Sequence, residues 1–179
     1  FYQHAVDGVV DRVVRDVAGR RTSPSATYRL QFHSGFTFRD AAAIVPYLRA
    51  LGISHVYASP YARARAGSMH GYDVCDHNQL NPELGGEEGY REFIDALRDN
   101  GLHHVLDVVP NHMAATADNP WWRDVLENGP NSPYSGFFDI DWRPVKDELE
   151  NKVLIPVLGA QYGEVLESGQ LQIEHADGG

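Results

Sequence analysis

Two stretches of the 179-residue chain carry side chains whose types and spacing could do chemistry. The first is Asp107-Val-Val-Pro-Asn-His112, which reads as the end of an apolar strand. Side chains alternate along a strand, so Asp107 and Asn111 share one side with Val109 between them. A carboxylate in apolar surroundings needs a partner, because a lone buried charge is costly. The residues leave two roles open for Asp107: an ion pair with an arginine on a neighbouring strand, or direct contact with a ligand. Asn111 and His112 fall where the strand opens to solvent and can donate to and accept from a polar ligand. The second stretch is Gly67-Ser-Met-His-Gly-Tyr-Asp-Val-Cys-Asp-His77. It sets Tyr72, His70, His77, Asp73 and Asp76 beside glycines. A sugar site needs that mixture: a flat ring for the apolar face of a pyranose, and imidazoles or carboxylates for its hydroxyls. The plainer alternative is a self-bonded loop of Asx turns anchored by Tyr72.

Glycoside cleavage uses two carboxylates, about 5–5.5 Å apart in retaining enzymes. Asp73 and Asp76 form the obvious pair, but both sit on one loop without a rigid element behind them, so they are not expected to be the catalytic pair. Nine histidines invite a metal test. His104 and His112 lie roughly 26 Å apart if extended, too far to share an ion with ligand bonds of about 2 Å. His103 and His104 are expected at the surface near the structural end of the barrel. No metal site and no cofactor is expected.

These residues depend on a strand–helix rhythm. Thr27–Phe32 alternates and is rich in strand formers. Phe38–Leu51 carries Ala42, Ile44, Val45, Leu48 and Leu51 at helical spacing, with Gly52 as C-terminal cap and Pro46 as an expected kink. Ile53–Ser59 reads as a second strand, Pro60–Gly86 as a long loop, Glu87–Asn100 as a helix and Leu102–Val109 as a third strand. Alternation of this kind indicates βαβ units and a parallel sheet. The first turn, His33-Ser-Gly-Phe-Thr37, lacks the glycine-rich fingerprint of a nucleotide-binding sheet, which favours a barrel. Ahead of this run, Val6, Val9, Val10, Val13, Val14 and Val17 line one face of a helix over residues 2–18, a stripe expected to be buried. After residue 112 the rhythm changes, with no helix of ordinary length evident. Lys152–Gly159 and Gln170–Glu174 read as the strands of an antiparallel insertion. The expected division is residues 1–22 as helix and linker, 23–112 as the first part of the barrel and 113–179 as an incomplete inserted subdomain.

Composition narrows the function classes. Twenty-five acidic residues against 15 Lys and Arg give a formal charge of −10, which argues against nucleic acid and against anionic membrane surfaces. No apolar run approaches the roughly 20 residues of a membrane span. The single cysteine, Cys75, and the lack of a visible signal peptide suggest the cytoplasm. The absent initiator Met and the loose polar tail suggest a piece of a longer chain.

With these elements placed, Asp107–His112 resembles the first of the short signatures of the α-amylase superfamily (glycoside hydrolase family 13). Thr27–Phe32, Ser59–Tyr61, Gly67–Asp73, Asn81–Gly86, Asn119–Trp122 and Phe137–Trp142 extend the resemblance over about residues 27–165. Together they are similar to the glucosylmutase branch of that superfamily, which serves trehalose biosynthesis. The resemblance implies an α/β fold: about three βα units of a (β/α)8 TIM barrel, with a small domain inserted after the third strand. It implies a maltodextrin (malto-oligosaccharide) substrate whose reducing-end α-1,4 linkage becomes an α,α-1,1 linkage by retaining intramolecular transfer. It implies that His70 and Tyr72 line the subsite of the reacting glucose, with Tyr72 stacked under the ring. By the same resemblance Asp73 bonds that sugar's hydroxyls, His112 contacts the same sugar, and Asp107 is mainly structural, positioning an arginine from the fourth strand. Asn111 matches a position that binds calcium in many amylases, a role not extended to this branch. The nucleophile and the acid/base of the superfamily belong to later strands, expected beyond Gly179. This piece alone is therefore expected to be inactive, and to need the remainder of the barrel for folding. The alternatives are an α-amylase-type hydrolase or 4-α-glucanotransferase on the same fold, or a non-catalytic glucan-binding module.

Overall fold

The computed structural model describes residues 2–20 and 23–172. The chain divides into two compact units, Phe1–Pro120 and Trp121–Gly179. The first unit opens with helix α1 (Tyr2–Arg20). Strand β1 (Thr27–Leu30), helix α2 (Phe38–Ala50) and strand β2 (His55–Ala58) follow. Then come strands β3 (Ala62–Ala64) and β4 (Val74–Leu80), helix α3 (Gly86–Asp99) and strand β5 (His103–Leu106).

Strands β1, β2 and β5 form one sheet in that order, all parallel. Thr27 is level with His55 and His103, and Leu30 with Ala58 and Leu106. The core lies between this sheet and the two crossover helices. Leu30, Phe32, Val56 and Ala58 supply the sheet side; Phe38, Ala41, Val45, Leu48, Phe93 and Leu97 supply the helix side. The buried positions of α2 recur at steps of three and four, so one stripe of the helix meets the sheet. Four rings interlock at the centre: Phe38 lies 5.2 Å from Phe32, 5.5 Å from Tyr61 and 6.2 Å from Phe93. Helix α2 runs through Pro46, which lies on its exposed side, where water can meet the carbonyl that proline leaves unpaired.

Several expectations are corrected. The stretch expected as a loop over residues 60–86 contains the antiparallel pair β3–β4 and a 3-10 turn, Pro82–Leu84. The valine stripe of α1 is not buried among the described residues: Val6, Val9, Val10, Val13, Val14 and Val17 are 43–60% exposed. His104, expected at the surface, is half-buried between Tyr61 and Phe93, with ring centroids 5.8 Å from each.

The second unit is helical and irregular. Helix α4 (Pro120–Asn128) leads into it, and helix α5 (Tyr162–Glu167) lies near its end. Of the hairpin expected here, residues 152–159 form no strand, and the end of the second arm, 173–174, lies outside the described residues. The apolar run Val153–Leu158 has the composition of a strand, but Leu154 and Val157 are exposed, and among the described residues no strand pairs with it. Trp121 stacks on Tyr134 at 5.4 Å, and Trp122 meets Phe138 edge-on at 5.2 Å, so the two tryptophans pack among the unit's own rings.

Candidate functional site

The alternation of β1 sends Leu30 and Phe32 into the core and leaves Arg29 and Gln31 on the other face. Arg29 is level with Tyr57 of β2, and its guanidinium carbon lies 4.3 Å from the centre of that ring. Asp107 follows β5 directly, and its N–H still donates to the Ala58 carbonyl at 3.0 Å, so the ladder carries it to the same end of the sheet.

Three side chains close a ring of hydrogen bonds there. Arg29 Nη1 donates to Asp107 Oδ2 at 2.8 Å, and Nη2 donates to Tyr72 Oη at 2.8 Å. Tyr72 Oη donates to the same Asp107 oxygen at 2.6 Å. The bonds from Tyr72 and Arg29 hold the Asp107 carboxyl below the usual carboxylate range. The same carboxylate, as acceptor, pushes the Tyr72 phenol up, and Arg29 partly offsets this. Partial burial opposes the charge of Arg29, but its bonds to Asp107 and Tyr72 outweigh this and raise its pKa.

The loop that carries Tyr72 is set by backbone geometry. Gly71 has φ +76°, and a Cβ there would meet the Pro60 carbonyl oxygen at 2.3 Å, so the loop crosses Pro60 where only glycine fits. Ser68 Oγ donates to the Asp73 carboxylate and accepts from the Gly71 N–H at 3.1 Å. The Tyr72 N–H donates to His70 Nδ1 at 3.0 Å. A neutral His70 therefore carries its proton on Nε2, on a side chain that is 57% exposed. Gln31 Nε2 donates to the His70 carbonyl at 3.1 Å, a second tie between β1 and the loop. His70 and Tyr72 rings are 6.0 Å apart.

The structure thus joins Tyr72 to Asp107 directly, and His70 and Asp73 to them through the loop. Asn111 and His112 lie past β5, exposed and bonded to each other at 3.1 Å. Among the described residues, no hydrogen bond ties that pair to the Arg29–Tyr72–Asp107 cluster. The Asp76 carboxylate accepts from the Asn78 N–H at 2.8 Å, an Asx turn and not a partner of Asp73. Among the described residues, no three His, Cys, Asp or Glu side chains converge to hold a metal, and no helix is long and apolar enough to cross a membrane. Sequence reasoning missed Arg29, Gln31, Tyr57 and Ser68. Arg29 and Gln31 alternate with Leu30 and Phe32, which marks the face they share but not the partners they meet there.

Residues 42–165 match the family described as "Alpha amylase, catalytic domain". A putative maltooligosyl trehalose synthase of Mycobacterium tuberculosis (strain H37Rv) is 40% identical over 169 residues, covering 86% of this chain and 21% of that protein. The solved maltooligosyltrehalose synthase from Arthrobacter ramosus is similar with a TM-score of 0.65 and 47% identity, over 66% of this chain and 16% of its own. Another solved maltooligosyl trehalose synthase gives a TM-score of 0.74 and 42% identity, over 87% of this chain and 21% of its own. The chain spans about a fifth of the length of these curated relatives.

Proposed function

The chain belongs to the α-amylase family, and on that premise we propose that it is the opening part of an enzyme that rearranges the reducing end of a maltodextrin. The three parallel strands are the first of the family's (β/α)8 barrel, and the site lies at their C-terminal ends, where barrel enzymes place their chemistry. The reaction converts the terminal α-1,4 linkage into an α,α-1,1 linkage. A nucleophilic carboxylate takes the glycosyl group, the released glucose is retained, and its anomeric hydroxyl attacks the intermediate from the face it left.

The observation that carries this reading is the fixed Tyr72 ring. Its hydroxyl is held by two groups, which leaves the ring available as a flat apolar surface for a pyranose. His70 Nε2–H and His112 serve the sugar hydroxyls beside it, and Asp73 braces the loop and borders the same sugar. The Asp107 carboxylate is already committed to Tyr72 and Arg29, which suits a structural role better than a nucleophilic one. The nucleophile and acid/base come from the fourth and fifth strands, so turnover needs the rest of the barrel. No cofactor takes part. A net charge of −10 fits a neutral glucan better than nucleic acid or an anionic membrane, and the lone Cys75 fits a cytoplasmic location.

Incubation of the complete enzyme with maltopentaose tests the reading. Loss of reducing ends without shorter sugars is the expected result. Shorter reducing sugars would identify a hydrolase or glucanotransferase instead, and binding without turnover a glucan-binding module.

A further inference from the structure

We propose that Arg29 is a positioning residue for this reaction: its guanidinium fixes the plane of the Tyr72 ring against which the reacting glucose lies. The inference rests on the reading of Tyr72 as the sugar platform and deepens it.

Tyr72 follows Gly71, which has no side chain to brace it, and it sits on a loop. A single hydrogen bond from its hydroxyl to Asp107 would leave the ring free to pivot about that bond. Arg29 removes the freedom. Its two terminal nitrogens serve different partners, Nη1 the carboxylate and Nη2 the phenol, each at 2.8 Å. The planar fork thereby sets an angle as well as a distance. The guanidinium is itself held, 4.3 Å from the centre of the Tyr57 ring. Arg29 also stands on a strand whose neighbour Leu30 is only 4% exposed, so the anchor belongs to the packed scaffold and not to the loop. An arginine needed only to neutralise Asp107 would have no reason to reach Tyr72.

The test compares four variants of the complete enzyme on maltopentaose: Arg29→Met, Arg29→Lys, Tyr72→Phe and the double variant Arg29→Met/Tyr72→Phe. Arg29→Met should lower kcat/KM about 10- to 100-fold, the scale of a misplaced contact near the reacting atoms. Arg29→Lys should recover only part, because an ammonium cannot reproduce the fork. Adding Tyr72→Phe to Arg29→Met should cost less than Tyr72→Phe alone, since both act through the same ring. Unchanged kcat/KM in folded Arg29→Met, or losses that simply multiply in the double variant, would overturn the proposal. Should Arg29→Met fail to fold, full activity in Arg29→Lys overturns it, and reduced activity at unchanged Tm supports it. A second readout needs no turnover. Ultraviolet difference titration follows the Tyr72 phenol, assigned by its loss in Tyr72→Phe. Removing the guanidinium should move that ionisation to higher pH, and no movement would count against the proposal. If the parent enzyme yields shorter reducing sugars, the trehalose-forming reading fails while the titration and the variant cycle still judge Arg29.

Discussion

Tyr72 is gripped at its hydroxyl, so the ring and the handle make separable contributions. Tyr72→Ala in the complete enzyme should depress kcat/KM on maltodextrin by about 100-fold or more while the thermal transition is retained; ordinary kinetics would remove Tyr72 from the site. Gly71→Ala should be costlier to the fold than to any single contact. It forces a Cβ against the Pro60 carbonyl oxygen at a positive φ, a strain of order 1–3 kcal/mol, readable as a lower midpoint in denaturant. Asp107 makes a prediction in pH. Its folded pKa lies below the ordinary carboxylate value. The stabilisation is therefore complete above that ordinary value, about 3.9, and is lost as pH falls through the depressed one. Asp107→Asn should differ from the parent enzyme in unfolding free energy near neutral pH, and the gap should close at the acid end. Asp107 and Tyr72 were legible because each is a local oddity, a carboxylate in an apolar strand and a ring beside glycine. Arg29 was not, since an arginine in an alternating strand reads as an ordinary solvent-facing residue until its partners, 78 and 43 residues away, are known.

Helices α2 and α3 were legible because each buries one stripe against a sheet, and the stripe repeats at helical spacing. The β3–β4 pair was hidden for the opposite reason. Ala62-Arg-Ala64 contains no strong strand former, and its pairing with β4 is broken by register shifts, so tertiary context makes the strand. The packing between sheet and helices sets two measurable limits. Phe38 is fully buried, and Phe38→Ala should cost about 3–5 kcal/mol in equilibrium unfolding of the complete enzyme. His104 on β5 packs against this ring cluster, between Tyr61 and Phe93. Its Nε2 has no hydrogen-bond partner among the described residues, and burial lowers its pKa below the ordinary 6.5. The unfolded chain therefore takes up the proton first as pH drops below about 6.5, and stability declines from there down to the folded pKa. His104→Phe should flatten that part of the pH–stability curve; an unchanged slope would place the titration elsewhere.

At the scale of the whole molecule, sequence resemblance and backbone agree on an α-amylase barrel begun with three strands. Among the described residues the three parallel strands leave both sheet edges unpaired, and three strands cannot close a barrel. The 179-residue chain incubated alone with maltopentaose is accordingly expected to form no trehalose ends, and measurable turnover would contradict the proposed division of labour. The apolar face of α1 was readable as a stripe, but not as an exposed one, because periodicity reports which face is apolar and not what covers it.

The bond from Arg29 to Asp107 spans 78 residues. Such a link closes a long loop and ties together two strands that are not neighbours in the sheet. The phenol of Tyr72 bonds both partners, so its spectral change after a denaturant jump becomes a clock for the closure of that link.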